Sequence, residues 1–146
     1  MGSRKLVCGV GINDAGYVIM YTEKLDELRP SGKNKTRIIW KCPSYFRWKD
    51  MLVRCYSEKF HTRQGKYKNC SVCKEWLTFS NFRKWMVEQD WEGKELDKDL
   101  IVQCNTIYSP ELCNFVPKMV NTFTNESNST RGKYLIGCSW DGGKGK

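Results

Sequence analysis

From Pro43 to about Ser57 the apolar residues Tyr45, Trp48, Met51, Leu52 and Cys55 recur at steps of three and four, the period of a helix that buries one face. Pro43 falls in its first turn, where the missing amide proton has no helical partner to lose. The chain must therefore build a core against this face. Arg47 and Arg54 share the opposite face, and Asp50 precedes Arg54 by four residues, the spacing of a surface ion pair. A second helix is predicted from Thr78 or Ser80 as N-cap through Gln89, burying Phe79, Phe82, Trp85 and Met86.

Strand patterns flank these helices. Leu6 to Gly11 reads as a short strand, Asn13 to Gly16 as a turn, and Tyr17 to Tyr21 as the hairpin partner. Pro30 to Lys35 is a basic loop, Arg37 to Trp40 a strand, and Phe60 to Asn69 a polar loop. Glu95 to Val102 and Thr106 to Tyr108 are strand candidates. Ser109-Pro110-Glu111 starts a turn of helix, and a further helix begins at Pro117 and carries Met119, Val120 and Phe123. Residues 124–131 are a polar loop. Gly9-x-Gly11 lacks a third glycine and a following helix, and no P-loop is present, which argues against a nucleotide site. At 146 residues, 40% of them hydrophobic, the chain suits one α+β domain. Within residues 1–146 its parts are a β-rich hairpin region (1–40), a basic helical part (41–94), a strand-strand-helix unit (95–124), and a strand with a Gly/Lys tail (132–146).

Charge is unevenly spread. Between Arg29 and Lys68 stand twelve Lys or Arg against two acids, Asp50 and Glu58, a local charge of +10 in a chain whose total is +9. Aromatic residues from Trp40 to Tyr67 are interleaved with it. Such a block is the footprint of a protein that tracks phosphates, although a solvated basic surface gives the same composition. Lys41, Arg47, Lys49, Arg54, Lys66 and Lys68 are the candidate phosphate contacts.

No apolar run is long enough to span a membrane, and the N-terminus has no signal-peptide pattern, so an intracellular protein is expected. The eight cysteines are then expected to be reduced thiols or metal ligands. Cys70-Ser71-Val72-Cys73 is the only close pair. A structural zinc there, completed by Cys42 or Cys55, is weighed against small buried thiols and is not favoured, because a second pair at ligand spacing is missing.

Strand, loop, strand and helix from Leu96 to Phe123 is the order of the ββα-metal nuclease unit. Five segments carry a family resemblance: Gly9 to Asp14, Trp48 to Tyr56, Val72 to Phe82, Leu96 to Asp99, and Tyr108 to Pro117. Through them the chain resembles phage and prophage HNH-like (His-Me finger) proteins of the homing-endonuclease type, with a degenerate HNH motif. Arg131 to Asp141 is similar to the first strand of the APETALA-type DNA-binding domain appended to many of them.

The resemblance implies a divalent-metal-dependent endonuclease acting on double-stranded DNA in the cytoplasm of an infected host cell. Asp97 matches the metal-binding Asp, Lys98 occupies the position of the general-base His, and Asn121 falls where the last metal ligand stands. The middle Asn falls near Leu112 or Cys113. Asp97 and Asn121, with Asp99 in reserve, are thus the ligands expected for magnesium, and Asp97, Lys98 and Asn121 the catalytic set. A free lysine titrates near 10.4 and a histidine near 6.5, and a lysine between two carboxylates is a poor base. Lys98 would instead stabilise transition-state charge. The missing His equally suits a catalytically inactive descendant that binds DNA or a host defence protein by occupancy.

Overall fold

The computed structural model describes residues 5–122. The expected central helix, α1, runs Pro43–Tyr56 with Pro in its first turn, and it buries Tyr45, Trp48, Met51, Leu52 and Cys55. A short helix α2 (Glu58–His61) follows, with the Ser57 side chain accepting from the Phe60 amide. The next long helix, α3 (Phe79–Val87), buries Phe79, Phe82 and Met86. Its face meets α1 through aromatic rings: Phe79 lies 5.3 Å from Tyr45 and 5.5 Å from Trp48 between centroids.

Trp48 and Trp76 form the centre of the core. Both are almost wholly buried, and the Trp48 indole donates to the Trp76 carbonyl at 2.6 Å, so the one polar atom of that ring is satisfied. Trp76 packs edge-on against Phe82 at 5.0 Å. Each such buried ring contributes roughly 1.5–3 kcal/mol, enough to fix how the two helices cross.

The segment before the first strand clips onto both helices. Val7 and Gly11 exchange backbone hydrogen bonds at 2.8 Å. Ile12 then bonds Leu77 and Phe79 through its own amide and carbonyl, and the Asp14 carboxylate accepts from the Ser80 amide at 2.9 Å. Thr78, expected as the N-cap of α3, makes no side-chain cap. The first turn of that helix is satisfied from Ile12 and Asp14 instead.

The α+β class and its N-terminal antiparallel hairpin are present, but the hairpin uses later strands than Leu6–Gly11 and Tyr17–Tyr21. They are β1 (Met20–Leu28) and β2 (Asn34–Lys41), joined by the Pro30–Lys33 turn with Gly32 at φ +75°. Both strands are exposed along nearly their whole length. A strand with no buried face has no apolar alternation, which is why Thr22 to Leu28 carries no strand signal.

Four short strands complete the described fold. β3 (Ser71–Val72) pairs in parallel with β5 (Ile107–Tyr108), and β4 (Lys94–Asp97) pairs antiparallel with β6 (Asn114–Pro117). The strand-strand-helix unit is therefore built from β4, β6 and a helix occupying 118–122. The expected second strand, Thr106 to Tyr108, joins β3 instead, and Ser109 to Cys113 forms a turn whose Leu112 and Cys113 amides both bond the Ser109 carbonyl. The expected strand 95–102 stops at Asp97. Among the described residues no helix is long and apolar enough to cross a membrane. Phe123 and the strand expected at residues 133–140 lie outside the described residues.

Candidate functional site

β4 ends where Asp97 leaves the sheet. Its Oδ1 accepts the amide protons of Asp99 at 2.9 Å and Leu100 at 2.7 Å, an Asx turn that diverts the chain and ends the strand. Lys98, 8% exposed, donates from Nζ to Asp99 Oδ1 at 2.7 Å and to the Asn105 carbonyl at 2.6 Å. The Asn105 side chain closes the loop by donating to the carbonyls of Lys98 and Ile107 and accepting the Ile107 amide. Both ends of the 98–107 excursion are thereby fixed beside β4.

The helix after β6 faces the same place. Asn121 donates from Nδ2 to Glu95 Oε2 at 2.7 Å, tying that helix to β4. Asp97, Lys98, Asp99 and Asn121 together line one polar cavity of about 60 Å³, with Arg54, Tyr67, Leu96 and Tyr108 supplying the rest of the wall. A volume of this size suits an ion with part of its water shell or a single phosphate oxygen, not a nucleotide. The four residues expected to carry the chemistry are thus brought to one point, although the second strand was assigned elsewhere in the sequence.

Arg54 was expected on the surface and is found in this wall. Its guanidinium shares the cavity lining with Tyr108 and lies 5.9 Å from the centre of the Tyr67 ring. Burial works against the Arg54 cation, but Tyr108, Tyr67 and the more distant Asp50 outweigh it and raise its pKa above the ordinary value. Burial pushes the Tyr108 phenol well up, with Arg54 pulling the other way. The ion pair expected between Asp50 and Arg54 is therefore replaced by contacts turned inward. Arg54, Tyr67, Tyr108 and Asn105 are the residues that sequence reasoning missed in this role.

Of the other expected phosphate contacts, Arg47 is also turned inward, donating to the Lys94 carbonyl at 2.6 Å and so anchoring α1 to β4. Lys41, Lys49, Lys66 and Lys68 are exposed. Lys41 lies over Phe46 and Lys66 over Tyr67, each at 5.2 Å.

The oxygen donors at the cavity are of the hard type that magnesium takes. Asp97 Oδ1 is engaged by two amides and Asp99 by Lys98, which leaves Asp97 Oδ2 as a carboxylate oxygen with no hydrogen bond among the described residues. In kind, then, Asp97 and Asn121 fit a small divalent cation, although Lys98 and Arg54 bring two positive charges to the same cavity. Asn114, one residue beyond the expected middle Asn, is paired with Asp97 across the sheet, and its Oδ1 is buried without a partner.

The thiols are arranged differently. Cys70 and Cys73 flank β3, and burial raises the pKa of both. Cys42 lies 3.4 Å from the Tyr17 hydroxyl. Among the described residues no group of three or more His, Cys, Asp or Glu side chains is placed to hold a metal ion. Compared with known proteins, the chain matches no protein-family model, no curated protein and no solved structure.

Proposed function

We propose that the protein binds double-stranded DNA of a phage-infected cell and that its β4-β6-helix unit is a divalent-metal-dependent phosphodiesterase centre. The observation that carries this reading is the convergence of Asp97, Lys98, Asp99 and Asn121 on one small polar cavity. Residues contributed by a strand end and by the helix after its partner strand are what a ββα-metal nuclease requires, and here the chain brings them together over 24 positions of sequence, from 97 to 121.

Asp97 and Asn121 would hold magnesium. Bound there, the ion would act as Lewis acid and activate water. The chain's own contribution is electrostatic: Lys98 and Arg54 place two cations at the cavity, where they would face a scissile phosphate and the charge it gains on attack. Asp99 positions Lys98, and Asn105 fixes the far side of its ammonium. Exposed Lys41, Lys49, Lys66 and Lys68 would follow the backbone on either side.

The test is nicking of supercoiled plasmid by the purified protein with magnesium or manganese, repeated after chelation. Cleavage that disappears with the chelator and with Asp97→Ala supports the reading. A second reading rests on the Lys98–Asp99 ion pair: with one carboxylate already neutralised by a buried ammonium, the protein would bind DNA or a host defence protein by occupancy alone. Tight DNA binding with no cleavage under any divalent ion would favour it.

A further inference from the structure

The hairpin of β1 and β2 is an arm with no core to build. Its strands, nine and eight residues long, pair with each other from Met20–Lys41 to Leu28–Asn34. At its base the Cys42 amide donates to the Ile19 carbonyl at 2.8 Å. A ribbon of this kind is marginal by itself, and one exposed on both faces is kept for what it touches.

Its charges are sorted by strand. β1 carries Glu23, Asp26 and Glu27 with Lys24, whereas β2 carries Lys35, Arg37 and Lys41 and no acid, and Arg29 and Lys33 add two more cations at the turn. Lys35 and Arg37 bond across to Glu27 and Glu23 at 2.7 and 2.6 Å, on exposed surfaces, where such pairs are worth little and exchange readily. Arg29 and Lys33 lie in no ion pair with described residues; the Arg29 guanidinium reaches only Thr36 Oγ1 at 3.5 Å. β2 and the turn thus carry five exposed cations, of which Lys35 and Arg37 are paired to β1 acids, beside exposed Ile38, Ile39 and Trp40.

We propose that this arm is a second DNA-contacting surface, laid along the phosphate backbone of a duplex by the β2 edge and the Arg29–Lys33 turn. It rests on the DNA-binding reading given above and extends it to a part of the chain remote from the cavity. A two-stranded ribbon is narrow enough to enter the major groove, and nine extended residues reach roughly 30 Å, or about nine nucleotides at 3.4 Å each. Charge also argues against a second copy as the occupant. A twofold pairing sets each edge against a copy of itself, so the β2 strand, whose charged residues are all cations, would meet a second strand of cations, and like charges opposite one another destabilise a sheet.

The experiment uses the full chain and a duplex of about 30 base pairs, with affinity measured across salt concentration. Arg29→Gln/Lys33→Gln/Lys35→Gln should weaken binding at low salt and lower the log–log salt slope by about 2 to 3, at about 0.9 per lost phosphate contact. A variant in which residues 21–40 are replaced by a short Gly/Ser turn, which the Ile19–Cys42 bond permits, should lose as much and should give a shorter footprint. Wild-type affinity and slope in both variants would overturn the arm while leaving DNA binding intact. An arm deletion that changes only the oligomeric state would overturn it in favour of a protein interface. Wild-type protein that shows no salt-dependent duplex binding would overturn the arm and the DNA-binding reading together.

Discussion

The Lys98 ammonium donates to the Asp99 carboxylate at 2.7 Å and, on its other side, to the Asn105 carbonyl, so the residue that the family resemblance would set in the general-base position is the buried half of an ion pair. Lys98→Met should leave an acid and a carbonyl without their donor. Because Asp99 is about one-third exposed, water would replace part of what is lost, and the expected cost is about 1–2 kcal/mol. A urea titration measures it. Lys98→His should lose similar stability, since imidazole cannot span both acceptors, yet, if the cavity is the nuclease centre proposed above, raise metal-dependent nicking at neutral pH by supplying a base that titrates near 6.5. Unchanged nicking rates in Lys98→His would mean that no base is wanted at this position.

Gly11 is required by what lies over it. A β-carbon there would stand 2.4 Å from Leu52 Cδ1 and 3.0 Å from the Trp48 ring, and both side chains are fully buried, so neither has room to yield. Gly11→Ala should therefore destabilise the protein by about 1–3 kcal/mol. Gly9 meets nothing within 4 Å but has φ +78°, a conformation Asn tolerates. Gly9→Asn should fold with little loss. The difference in urea midpoint between the two variants tests whether close approach or backbone conformation makes this loop glycine-rich.

Burial pushes the Cys55 and Cys113 thiols up to about 12. In the unfolded chain a thiol ionises near 8.5. Below that pH both states hold the proton and stability is unaffected. Above it the unfolded state sheds the proton while the folded state keeps it, so stability falls until the folded thiols ionise near 12. Each thiol should contribute up to about 1.4 kcal/mol per pH unit within that window. Denaturant midpoints should be flat from pH 7 to 8 and drop steadily from 9 to 11, with a shallower drop in Cys55→Ala. An equally steep drop in that variant would assign the alkaline transition to other groups.

The legible parts of the fold are those where one residue's neighbours are close in sequence. The stripe from Tyr45 to Cys55 announced α1, and the aromatic run from Phe79 to Met86 announced α3. β6 was not legible, because Asn114-Phe115-Val116-Pro117 is short, ends in proline and reads as a helix entry. The Asx turn at Asp97 also cut a strand that composition alone would have continued to Val102. At the cavity, Asp97, Lys98, Asp99 and Asn121 are named by the family resemblance and not by any pattern of the residues themselves. Arg54 is expected from the sequence only as a surface phosphate contact and Tyr108 has no assigned role, since only the α1 packing that turns Arg54 inward places them together. Two arginines on the polar face of a helix look alike in sequence, yet Arg47 holds β4 and Arg54 lines the cavity.

Asp97 has two separable jobs, and two substitutions distinguish them. Its Oδ1 ends β4 by accepting from the Asp99 and Leu100 amides, which any side chain with an oxygen at that position can do. Its charge, with Oδ2 free of hydrogen bonds among the described residues, is what a divalent ion would need. Asp97→Asn keeps the shape and the acceptor but removes the charge, so it should stay within about 1 kcal/mol of wild type, the difference expected between a charged and a neutral acceptor. Asp97→Ala removes both and should cost about 1–3 kcal/mol, because two amides beside a buried strand end lose their partner. If the unit is a metal-dependent nuclease, both variants should lose nicking while only Asp97→Ala unfolds early. If Asp97→Asn retains wild-type nicking together with wild-type stability, the carboxylate serves the turn alone and the metal must be held by other groups.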